Sequence, residues 1–281
     1  VVPAGTQLAG VIGTFGMIVS APPLLAVVGA AGWPAGYAIT AAFPGVVALI
    51  SFGVLLLMGA DPSRTASGEG IGSVLRGTAE SMRQRGAWLA FTAHLMTGAS
   101  FTAFAVTWGP LFLEHGAGLG AAGIGLFFTV VPIVGMVAGI ILGRAVVGRP
   151  RLRARILQGT VVVQVVAWVL VLWWPVPTPG VLLALLAFAL GIGGPVSVTA
   201  FDIARERVPG HLAARANGIV NTGGFSGGLV VIWLTGAMLT LQGASQPGDY
   251  SIELFRIAYL PMLGILVLAL AAFVVLNRRA R

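Results

Sequence analysis

An all-α, polytopic membrane fold with about eight spanning helices is predicted by three features of this 281-residue chain. Hydrophobic residues make up 57% of it, only 9% is charged, and the mean hydropathy is +0.98. A water-soluble domain carries about 25% charged residues, so a soluble enzyme or binding module is excluded. The uncharged runs are long enough for spans, because a helix needs about 20 apolar residues to cross the hydrocarbon core. Finally, the basic residues fall between these runs in a one-sided pattern.

The runs give the spans in order. Residues 1–60 carry no charge and hold two, A (4–29) and B (35–58), broken by Gly29-Ala30-Ala31-Gly32-Trp33-Pro34-Ala35-Gly36. The uncharged stretch 86–113 gives C (87–113), and D fits 120–143. Residues 156–201 hold E (156–174) and F (179–202), split by the proline-rich Trp174–Gly180. The last two are G (213–240) and H (255–277). Between B and C lies the longest polar stretch, 59–85, in which 69–84 are expected to form a surface helix whose Ile71, Val74, Leu75 and Met82 touch lipid or protein. This reads as a linker between a two-span unit (1–58) and a six-span bundle (86–281).

All sixteen basic residues are arginine, and the formal net charge is +8. Fifteen of them lie in the B–C, D–E and F–G loops and in the tail; Arg256 alone falls on the other side, with Glu114, Asp249 and Glu253. The positive-inside rule puts the arginine-rich loops and both termini in the cytoplasm, as in a bacterial-type inner membrane. The excess charge is then a topology signal, and no nucleic-acid partner is expected. Trp33, Tyr37, Trp173 and Trp174 fall near the outer boundary, where aromatic belts form. There is no cysteine and no lysine, so thiolate chemistry and a phosphate-loop lysine are excluded. His94, His115 and His211 are not at metal-ligand spacing, and no catalytic triad is placed together. The expectation is no enzyme, no metal and no cofactor.

Segments A and G repeat each other. Gly10-Val11-Ile12-Gly13-Thr14 is matched in step by Gly218-Ile219-Val220-Asn221-Thr222, and B and H follow with internal prolines Pro44 and Pro261. Internal repeats of this kind mark secondary transporters, whose solute site lies at the interface of two halves. If A–B correspond to G–H, a full unit has six spans and four would precede A.

Further stretches carry a resemblance: Trp108-Gly109-Pro110-Leu111-Phe112-Leu113, the basic loop Gly143-Arg144-Ala145-Val146-Val147-Gly148-Arg149-Pro150-Arg151, and above all Phe201-Asp202-Ile203-Ala204-Arg205 followed by Pro209 and Ala216-Asn217-Gly218-Ile219-Val220-Asn221-Thr222-Gly223-Gly224-Phe225. With them the chain resembles the major facilitator superfamily, specifically helices five to twelve of a twelve-helix member, and a partial fold of that type is implied. Two places depart from the family pattern. The acid before the loop arginine is replaced by Val147 or Gly143, and segment A reads Ala21-Pro22-Pro23-Leu24 without the paired glycines of antiporters.

The implied function is secondary active transport of a small solute by alternating access, driven by a proton or solute gradient, with the solute, protons and the lipid bilayer as partners. A truncated inactive remnant, a channel and a membrane-embedded enzyme are the alternatives. Candidates for the substrate cavity are His94, Thr97, Ser100, Gln7, Asn217 and Asn221, the polar groups inside spans. His94 fits either a proton site or a neutral histidine bonded to a neighbouring helix. The two asparagines, four apart on one face of G, fit either a cavity lining or interhelical bonds. Asp202 and Arg205, three apart and able to pair, are with Arg149 the candidates for a cytoplasmic gate. A surface ion pair is the other reading of Asp202 and Arg205.

Overall fold

The fold was obtained as a computed structural model that describes residues 2–59 and 70–279. The described residues form helices and turns with no strand. They comprise α1 (Val2–Leu57), α2 (Ile71–Arg83), α3 (Arg85–Gly116), α4 (Ala121–Ala145), α5 (Pro150–Trp173), α6 (Gly180–Arg207), α7 (Ala213–Leu241), α8 (Ile252–Ala258) and α9 (Leu260–Arg279). Seven helices among them are long and apolar enough to cross a membrane, the first being Ala26–Leu57 and the last α8 and α9 together. The stretch assigned to span A is helical, but many of its side chains, Gln7 among them, lie outside the described residues, as does Arg64. Contacts divide the chain into residues 15–76 and residues 77–281 with 1–14.

Several boundaries differ from the sequence reading. Spans A and B are continuous helix broken at one residue, Gly32, whose φ of 78° lies in the left-handed region glycine tolerates. Within 15–76 the chain doubles back there: a Cβ on Gly36 would come 2.7 Å from Val28 Cγ2. The two arms enclose an apolar cleft of about 610 Å³ lined by Pro23, Leu24, Phe43 and Pro44.

The E helix begins at Pro150, not 156, so Arg151, Arg153 and Arg155 are helical. Proline is favoured in a first helical turn, where its missing N–H costs nothing, and long arginine side chains can leave an apolar stem in a helix end while the head finds polar surroundings. The F helix likewise runs on through Arg207. Span H starts at Ile252 and breaks at Tyr259, two residues before Pro261, whose ring cannot continue a preceding helix. Span C extends to Gly116 through two π-turns, Phe104–Trp108 and Phe112–Gly116.

The six-span bundle has two apolar cores. One is aromatic: Phe104, Phe112, Trp168, Phe255 and Tyr259 meet mostly edge to face, with Trp168 and Tyr259 centroids 5.0 Å apart. The other, at the arginine-rich end, is aliphatic around Leu89, Met96, Leu157, Val161, Val220 and Leu266. At the aromatic end Arg256 donates Nε to the Leu172 carbonyl at 2.6 Å and Nη2 to the Trp174 carbonyl at 3.3 Å. These are end carbonyls of α5, which lack partners within the helix. Arg256→Leu is therefore expected to lower the melting temperature of the detergent-solubilised protein, by about 1–2 kcal/mol of stability. An unchanged melt would show that water replaces the guanidinium. In the neighbouring loop the amides of Ser245 and Gln246 donate to the Asp249 carboxylate, and the Gln246 amide first, then that of Ser245, holds it below the usual carboxylate range.

Candidate functional site

Three polar groupings within the six-span bundle draw on residues singled out above. The first lies where α3 meets α7. Helix α7 turns its small residues, Gly223, Gly224, Gly227 and Gly228, toward α3. Each removes a Cβ that would collide. At Gly223 it would lie 2.7 Å from the Phe91 carbonyl oxygen, at Gly224 2.7 Å from His94 Cδ2 and 2.8 Å from Nε2, and at Gly228 2.5 Å from Thr102 Cγ2. The His94 ring thus fills the space left by Gly224. Its Nδ1 is 3.2 Å from the Ser197 carbonyl on α6, and its ring packs edge-on against Phe201 at 5.2 Å. A carbonyl only accepts, so Nδ1 carries the hydrogen of this bond.

The second grouping joins α3, α5 and α6 through Gln164. This fully buried amide accepts from Ser100 Oγ at 3.1 Å and donates to the carbonyls of Thr97 at 3.3 Å and Ala189 at 3.2 Å. Gly193 makes room for it, since a Cβ there would lie 2.5 Å from Gln164 Nε2. Thr97 bonds its hydroxyl to its own helix, at Ala93. Thr97 and Ser100 are therefore buried with their hydroxyls satisfied.

The third grouping is at the arginine-rich end. Asp202, almost fully buried, pairs with Arg205 one turn on. Beside it Arg153 of α5, 5% exposed, pairs with Glu206 of α6, 45% exposed, in a two-pronged contact whose Nη1–Oε1 arm is 3.0 Å. Arg149 is exposed at the start of α5, so it is Arg153 that links the two helices. The unequal burial sets the cost of breaking the link. Glu206→Gln strands a buried guanidinium and is expected to cost about 1–3 kcal/mol. Arg153→Gln leaves a carboxylate that reaches water and should cost less. Chemical or thermal unfolding of both variants checks the order; equal losses would contradict it.

Asn217 and Asn221 separate on α7. Asn217 is partly buried and its Oδ1 has no partner among the described residues. Asn221 is exposed, in a row with Gly218, Thr222, Phe225, Ser226, Leu229 and Trp233 opposite the glycine seam. Sequence reasoning missed Gln164, Arg153 and Glu206. The signal for Gln164 was present, as the lone amide of the apolar run 161–173.

The family model described as the Major Facilitator Superfamily matches residues 3–232, most of the chain. No curated protein and no solved structure matches it. A helical protein of several membrane spans with this match is a membrane transporter, and the chain belongs to the Major Facilitator Superfamily.

Proposed function

We propose that the chain moves a small solute by alternating access, and that the exposed face of α7 lines the cleft through which the solute passes. The observation that supports this is Asn221. It lies about 12 Å along α7 from Ala213, well inside a span, and among the described residues its amide has no hydrogen-bonding partner. Thr222 and Ser226 share its face, and Phe225 and Trp233 supply apolar surface beside them. A bare amide in hydrocarbon is expensive, and polar residues inside spans usually face a cavity or another helix. A face that mixes amide, hydroxyl and aromatic groups suits a neutral or amphipathic solute. Asn217, with its unpartnered oxygen one turn below, belongs to the same reading.

His94, Thr97, Ser100 and Gln7 remain candidates within it, His94 as the group through which a proton gradient would couple. Asp202, Arg205 and Arg149 stay as the gate candidates, and Arg153 and Glu206 join them. We further read 77–281 as carrying one bundle of a two-bundle transporter, 15–76 as contributing to the other, and the arginine-rich ends and both termini as cytoplasmic, in a bacterial-type inner membrane. The reading is of a transporter and not of an enzyme, and it needs no cofactor.

Because the chain has no cysteine, the face can be probed one residue at a time. Asn221→Cys, Phe225→Cys and Ser226→Cys in membrane vesicles are expected to react with a charged, membrane-impermeant thiol reagent. Ile133→Cys, exposed on α4 but amid apolar neighbours, is expected not to. Equal reactivity at 221 and 133 would overturn the cleft. Uptake of a solute panel into proteoliposomes, with and without a pH gradient, then tests transport and its coupling.

A further inference from the structure

Helix α2 is not used by the transport reading. It divides its surface three ways. Gly77 and Ser81 form a buried strip. Over Gly77 lies the Arg215 guanidinium, 2.6 Å from where a Cβ would be, and Glu80 Oε1 is 3.7 Å from His211 Nε2. Trp88 Nε1 donates to the Met82 carbonyl at 2.7 Å, tying the end of α2 to the start of α3. Next to this docked strip runs an exposed apolar one, Ile71, Val74, Leu75 and Met82, with Ile71 81% and Leu75 64% exposed. Beyond that strip, two turns apart, stand exposed Arg76 and Arg83.

Position in the chain fixes the depth of this helix. It ends at Arg83, and the spanning helix α3 starts at Arg85. Its last turn is therefore within two residues of the end of a span, at headgroup level. An apolar strip bordered on one side by arginines at that depth matches a bilayer surface: the strip enters the acyl boundary and the guanidinium groups meet phosphate.

We propose that α2 is an in-plane membrane-binding helix, with Ile71, Leu75 and Met82 inserted in the bilayer surface and Arg76 and Arg83 on the phosphates of anionic phospholipids. This attachment does not depend on the cleft reading, since its readout is depth and lipid charge rather than transport.

The absence of cysteine again supplies the test. The full chain bearing Leu75→Cys or Met82→Cys, labelled with an environment-sensitive fluorophore, is reconstituted in vesicles of phosphatidylcholine with or without phosphatidylglycerol. Glu80→Cys, exposed and off the apolar strip, is the control. Labels at 75 and 82 are expected to be quenched by lipids spin-labelled near the headgroup and not by aqueous iodide, with the reverse at 80. Adding Arg76→Gln and Arg83→Gln should weaken the retention of phosphatidylglycerol on the purified protein, by about fivefold for each arginine removed. Iodide quenching at 75, or a label shielded from both quenchers by protein, overturns the proposal. So does lipid quenching that is unaffected by lipid charge and by the arginine substitutions.

Discussion

Gly223→Val is expected to be the most damaging single substitution at the seam between α3 and α7. Its Cβ would meet the Phe91 carbonyl oxygen at 2.7 Å and the Phe91 ring at 3.1 Å. A side chain can rotate away from an intruder, but a backbone carbonyl moves only with its helix. The two helices would have to separate along the whole run from Gly223 to Gly228, losing the close packing that drives helix association where lipid is as apolar as protein. Overpacking typically costs about 1–3 kcal/mol, and this site belongs at the upper end. Gly227→Val comes no nearer than 3.0 Å to its neighbours, the Ala99 and Leu95 side chains, so its cost should be smaller. Gly218→Val, with nothing within 4 Å of its Cβ, serves as the control for valine's lower helix preference. Thermal unfolding in detergent, followed by monodispersity on size exclusion, ranks the three. If Gly223→Val melts with Gly218→Val, the seam is not packed as described.

Gln164→Leu is the second large effect. The substitution keeps much of the volume and removes three bonds that join α5 to α3 and α6. Interhelical hydrogen bonds in membranes average about 0.6 kcal/mol, so about 2 kcal/mol is at stake. Ser100→Ala removes one of the three and should cost correspondingly less. Combined with Gln164→Leu it should cost almost nothing further, because the partner of the Ser100 hydroxyl is already gone. Full additivity of the two substitutions would show that Ser100 is held by something other than Gln164.

These two cases show how legible the chain was. The glycine pairs of α7 are plain in the sequence, but that α3 is the helix seated on them was decided by the fold. The pairing of Asp202 with Arg205 was legible too, because a spacing of three residues on a helix suffices to bring the groups together. Arg153 with Glu206, 53 residues apart, has no such local signature, nor does Gln164 with Ser100. Likewise Thr97, Ser100 and Asn221 look alike in sequence as polar groups in spans. Only the neighbouring helices separate the two buried hydroxyls from the exposed amide.

What the sequence determined by itself is the membrane, the number of uncharged runs, the loops in which the arginines gather and the family resemblance. Lipid imposes those constraints on each segment separately, so composition and length record them. Tertiary structure decided which polar groups are spent between helices and which are left open, where α5 begins and α6 ends, and how α2 shares its three faces. Those outcomes depend on contacts between residues distant in the chain, and a sequence read one helix at a time contains no term for them.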